Sequence, residues 1–198
     1  MSYPKLHSIL SHFALICIPI CATALLRANE YNVHVSPANS KITWELGATA
    51  HTSHGTFDLK LGDFWFDPEA GTMRGSIVVE AASGQSGNSV RDGRMKNTVL
   101  EVKQFPLITF KPMKLEGKVA MEGTSDVKMQ GTFSIHGKDH EISIPAKVII
   151  ARDVVNAILD FTVPYVEWGM KDPSTLILRV DKTVKIQIKA EGHLGKGL

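Results

Sequence analysis

The chain reads as an all-β domain, an antiparallel barrel or sandwich of short strands with one short helix covering it. Three observations carry this reading. Apolar and polar residues alternate with period two along most of the chain, and glycine-centred turns punctuate the alternation. One stretch alone, Ser86 to Leu100, changes to helical spacing.

From Ser40 onward, Ile42, Trp44 and Leu46 point one way and Lys41, Thr43 and Glu45 the other, a half-buried strand. Phe57, Leu59 and Leu61 alternate with Asp58 and Lys60, and Asp67 to Gly71 is a turn. Ile77 and Val79 share one side of the next strand. In the helical stretch Ser89 is the expected cap, with Asp92 three residues on. Val90, Met95 and Val99 lie near one helical face, and Pro106 forbids continuation. Leu107 to Lys111 is a strand, and Leu115 to Met121 alternates again. Val127, Met129, Gly131, Phe133 and Ile135 share a face, followed by a tight hairpin at Gly137 to His140. Ile142 to Ile150 follows with Pro145 on the opposite parity, which marks an edge, a bulge or an unbonded N–H position. Ile158 to Tyr165 is the next strand, and Leu176, Leu178 and Val180 lead into Val184, Ile186, Ile188 and Ala190.

The total is about eight or nine strands, whose apolar faces must be covered by ring closure or by a second sheet. Eight strands is about the size at which a barrel interior either fills with side chains or holds one ligand. The inward set mixes flexible Met121 and Met129, small Ala146, Ala190 and Gly131, and large Trp44 and Phe133. Pattern alone leaves a filled core and a ligand cavity both open.

Residues 1–28 carry a basic Lys5, an apolar run from Ile9 to Leu26 and a small-x-small site at Ala22-Thr23-Ala24. This is the layout of a secretory signal peptide cleaved near 24–28, which leaves residues 29–198 as one domain in the periplasm or outside the cell. The alternative is a membrane anchor, but the run is interrupted and short for a span. Ile16 and Ile20 precede Cys17 and Cys21, where a lipoprotein signal needs a small residue. Both cysteines fall in the removed segment, so a thiolate nucleophile, a thiolate metal site and a disulfide are all excluded from the mature domain. Lys5 and Arg27 account for the whole formal charge of +2, so the remainder is neutral and offers no electrostatic footprint for nucleic acid.

Several short motifs stand in order along the chain: His51-Thr52-Ser53-His54-Gly55-Thr56-Phe57, Ser86-Gly87-Asn88, Arg91-Asp92, Met95, Phe105-Pro106-Leu107-Ile108-Thr109-Phe110, and Gly131-Thr132-Phe133-Ser134-Ile135-His136-Gly137. This series resembles the YceI-like family from Tyr31 to about Gly192. The resemblance implies a secreted, lipocalin-like, eight-stranded antiparallel barrel with a helix over it. It also implies that a long isoprenoid-type lipid, a polyprenyl chain or quinone, is bound in an internal tunnel for transport or storage, in connection with stress responses. The sequence departs from the family pattern at Tyr165 to Ser174, where an Arg-x-x-Phe-Gly stretch is usual, and at His54. The loop near Trp168 is therefore expected to reshape the mouth.

Strand parity, read with the resemblance, nominates Trp44, Leu46, Phe57, Ile77, Met129, Phe133, Ile186 and Ile188 as the lipid-binding wall. His51, Arg91 and Trp168 are the mouth and head-group candidates. Arg91 has a second reading, as a helix-start residue paired with a carboxylate beside the capping Asp92. His51 and His54 would point to opposite faces of an ideal strand, and neither they nor His34, His136 and His140 show metal-ligand spacing. No Gly-x-Ser-x-Gly elbow or phosphate-cradling loop is present. The expectation is a binding protein without catalytic residues, metal or cofactor other than its lipid. Brief membrane contact and a homodimer complete the expected partners. Two rivals stand beside it: a protein-interaction module with a packed barrel, and a hydrolase or metal-dependent enzyme.

Overall fold

The computed structural model describes residues 29–49 and 51–196. The expected signal peptide lies outside the described residues. Ten strands form one antiparallel sheet: β1 (Tyr31–Val35), β2 (Lys41–Gly47), β3 (Thr52–Phe57), β4 (Leu59–Asp67), β5 (Thr72–Glu80), β6 (Leu107–Glu116), β7 (Gly123–Ile135), β8 (Lys138–Ala151), β9 (Val154–Val163) and β10 (Val184–Lys196). A turn of 3₁₀ helix at Pro37–Asn39 separates β1 from β2, and the single residue Asp58 separates β3 from β4. Each of these pairs runs on as one broken strand. β1 pairs with β4 and β2 with β3, while β10 pairs with β2 through Lys185–Lys189 and with β1 at its far end. The result is a closed eight-stranded antiparallel barrel.

The two ends differ. Residues 68–71, 117–122 and 152–153 close one end with short turns. At the other end two long connections, 81–106 and 164–183, cross the opening beside the short link from β2 to β3 and the turn 136–137. The first long connection holds α1 (Ser89–Arg94), which continues as a wider π turn over Met95–Val99 and closes with Leu100 N–H donating to Met95 O at 2.8 Å. The wide turn swings Leu100 into the core, where it is buried. Reciprocal bonds between Thr56 and Gln85 tie this connection to β3.

Local chemistry explains where the strands turn. His136 and Gly137 both have positive φ, 51° and 70°, the backbone of a two-residue hairpin whose twist suits the flanking strands. On β8 the ladder to β9 covers Ala146–Ala151, whereas the ladder to β7 runs from Lys138 to Ile150. The β9 ladder therefore starts just past Pro145, which has no N–H to donate, and the two strands part toward the covered end.

Several details differ from the sequence reading. The helix cap is Asn88, not Ser89: its side chain accepts from the N–H groups of Val90 and Arg91 at 3.1 and 3.0 Å. Both residue types cap well, and the extended backbone at Asn88 decides the matter. Residues 176–183 are not a strand, since only Val180 pairs, with Ala48. β6 ends at Glu116, because Gly117 with φ 104° turns the chain out of the sheet. β9 ends at Val163, before Pro164. Leu61 is exposed, because a register shift between Leu59 and Leu61 reverses the parity.

Gly131 sits opposite Pro112, where the β6–β7 register also shifts, and a Cβ there would lie 2.2 Å from Lys111 O. Backbone cannot move aside as a flexible side chain can. Gly131→Ala is expected to lose about 1–3 kcal/mol in denaturant unfolding, and an unchanged midpoint would contradict this packing.

Candidate functional site

Inward alternation in a closed barrel gives each strand one row of side chains in the interior. Those rows do not fill it. Beneath the long connections lies a chamber of about 540 Å³, and toward the short-turn end a smaller space of about 100 Å³. Ile42 and Ile188 border both. Trp44 and Leu46 of β2, Phe57 of β3, Phe133 of β7 and Ile186 of β10 line the chamber. Ile77 and Met129 line the smaller space. All eight nominated wall residues thus face the interior.

The rim is where polar groups gather. His51 precedes β3 on the inward parity and is exposed at the opening, whereas His54 points outward with Nδ1 3.8 Å from Glu45. They do not converge, and no group of three or more potential metal-binding residues exists among the described residues. Arg91 Nε donates to Ser86 Oγ at 2.8 Å, one Nη to Ser53 Oγ at 3.1 Å, and the other to Ser86 O at 3.1 Å. Ser86 Oγ in turn donates to Asp92. Arg91 therefore clamps the start of α1 onto β3 through serines, not through a carboxylate. Among the described residues three of its five N–H donors are engaged, which leaves two for another acceptor. Arg94, exposed on the same rim, was not nominated. Its spacing of three from Arg91 places both on one helix face and would have revealed it.

Trp168 is not among the residues lining the chamber. Its ring stacks on His140 at 3.9 Å and 9°, and lies 5.8 Å from Phe133. It packs where β8 and β9 part, so the residue expected at the mouth is a wedge in the wall. The same connection supplies Tyr165, Met170, Leu178 and Val180 to the chamber, none of which was nominated for the wall. His136 Nε2 lies 2.6 Å from Glu101, and its ring lies 4.6 Å from that of Phe105, joining the β7–β8 turn to the end of the helical connection.

Tyr165 is the titratable group of the chamber whose chemistry is most altered. Its Oη donates to Asp181 O at 2.7 Å. Burial pushes the phenol from 10.0 up to about 12, and the carboxylates of Asp172 and Asp181 add to the effect. Asp172 is held below the usual carboxylate range, first by hydrogen bonds from Ser174 and then by Lys182 and Arg179. These shifts belong to the loop's own bonding and form no acid–base pair facing the chamber.

The family profile of the YceI-like domain matches residues 33–192, from within β1 to within β10. A search of the curated proteins by sequence finds no match. Among solved structures, a polyisoprenoid-binding domain from Saccharophagus degradans, implicated in plant cell wall breakdown, is 14% identical with a TM-score of 0.64, covering 81% of this chain and 97% of that one. Burkholderia cenocepacia BcnA is 16% identical with a TM-score of 0.63, covering 79% and 98%. A Campylobacter jejuni YceI protein is 16% identical with a TM-score of 0.51, covering 93% and 98%. At such identities the likeness is one of fold.

The Tyr165 phenol yields a pH prediction. It is neutral in both states well below 10.0 and ionises first in the unfolded chain, so stability falls as pH rises through about 12. Denaturant midpoints of the wild type should drop more steeply across that window than those of Tyr165→Phe. Parallel slopes would contradict the buried phenol.

Proposed function

The chain belongs to the YceI-like family, and on that basis we propose that it binds one long isoprenoid-type lipid, a polyprenyl chain or a quinone, with the tail in the chamber. One observation carries the reading: a closed barrel encloses about 540 Å³ of largely apolar space with polar groups gathered at its rim. That volume lies within the range of small-molecule sites, roughly 300–1,000 Å³. The Saccharophagus degradans neighbour, a polyisoprenoid-binding domain, supports the same ligand class. Each CH₂ removed from water contributes roughly 0.8 kcal/mol, so a few isoprene units outweigh the entropy lost on ordering the chain.

The polar end of the ligand would meet Arg91, Arg94 and His51. Trp44 adds a second hook: its Nε1 is buried without a hydrogen-bond partner among the described residues, a state that buried N–H groups rarely keep. A quinone oxygen reaching that wall would satisfy it. The role is binding and carriage or storage, not catalysis. The leader-like residues 1–28 support a periplasmic or secreted setting, where a free isoprenoid would be insoluble and a carrier useful, including under stress.

Ile186→Trp adds bulk to the chamber wall without breaking the β10 ladder. It should weaken binding of an added prenylated quinone about tenfold or more, measured by quenching of tryptophan emission, while the thermal midpoint stays near the wild type. Undiminished binding would remove the chamber as the site.

A further inference from the structure

The connection 164–183 turns back on itself beside the chamber opening. Thr175 N–H donates to Leu178 O at 2.8 Å, and Leu178 N–H to Thr175 Oγ1 at 3.1 Å. Leu176 and Ile177 are therefore the tip of a two-residue turn, a place where Gly, Asn and Asp are usual. Leu176 is fully exposed and Ile177 is 92% exposed. Val90, at the start of α1, is 82% exposed and lines the same opening. These are the three most exposed large apolar residues among those described, and all belong to the two long connections over one end. The turns at the opposite end expose Glu69, Lys118, Arg152 and Asp153, and their large apolar residues, Val119 and Met121, are half-buried.

The apolar surface does not stop at the tip. Leu178 and Val180 follow it directly and line the chamber. Arg179 stands exposed between them, and Arg94 stands exposed on the rim with Val90. Asp172 lies close enough to Arg179 and Lys182 to offset part of their charge, so the apolar tip and not a strong basic field would dominate adhesion.

We propose that this end of the barrel docks on a phospholipid bilayer. Leu176 and Ile177 enter the boundary between headgroups and acyl chains, with Val90 beside them. Arg94 and Arg179 lie at the level of the lipid phosphates, and the chamber opens toward the hydrocarbon. Docking gives a long isoprenoid a path between bilayer and chamber that avoids water, a purpose that rests on the lipid-binding reading above.

The test is flotation of the purified protein with vesicles of phosphatidylethanolamine and phosphatidylglycerol, beside L176D/I177D. Neither substituted residue lines the chamber, so solution binding of a prenylated quinone serves as the control for both proteins. The expected result is flotation of the wild type, a loss of about tenfold or more in the variant, and equal quinone binding. A wild type that stays at the bottom overturns docking, as does equal flotation of both proteins. Self-association lost in the variant without flotation overturns it in favour of a second copy of the chain. Flotation lost in the variant while neither protein binds quinone upholds docking and removes the ligand reading instead.

Discussion

Ring closure at β10 governs everything else in this molecule. One edge of β10 is paired with β9 from Val184 to His193, and the other edge meets first β2 and then β1. With both edges occupied the ring closes, and the inward rows of side chains are shielded from water except through the ends and where β8 and β9 part. The break at Pro37–Asn39 lets one chain segment serve β10 over its full length without a single long straight strand. Closure makes the interior apolar, and the covering of the ends decides whether it can be reached.

The two halves of that interior are packed differently. Toward the short-turn end, Phe66, Met73, Leu115, Val127, Ile150 and Val155 bring the rows close together and leave about 100 Å³. Toward the covered end the walls stand further apart, and the long connections supply the roof. The parting of β8 and β9 past Pro145 would open the side of this half to water. Trp168, stacked on His140 and packed near Phe133, occupies that place. The connection 164–183 is thus part of the wall, and through Tyr165, Met170, Leu178 and Val180 part of the chamber surface.

Much of this was legible in the sequence. In a closed barrel each strand has one inward face, so the parity of Ile42, Trp44 and Leu46, or of Ile186 and Ile188, maps directly onto the interior. The eight nominated wall residues face it for that reason, though what they touch there is a question of ligand and not of parity. Parity failed where the ladder is irregular: the register shift after Leu59 turned Leu61 outward. It failed again where alternation occurs outside a ladder, since Leu176, Leu178 and Val180 alternate in a loop that holds one isolated bridge, Val180 to Ala48. Asn88 and Ser89 are equally good caps on paper, and only the backbone separates them. Trp168 and Tyr165 act through a long connection whose course depends on the strands it bridges, and no local pattern encodes that.

The central claim is that this interior exists to hold an isoprenoid-type lipid. Organic extraction of freshly purified protein, followed by mass spectrometry, tests it most directly. The account predicts a polyprenyl chain or quinone at close to one molecule per barrel. An empty extract, still empty after incubation with a panel of prenyl lipids, would contradict it.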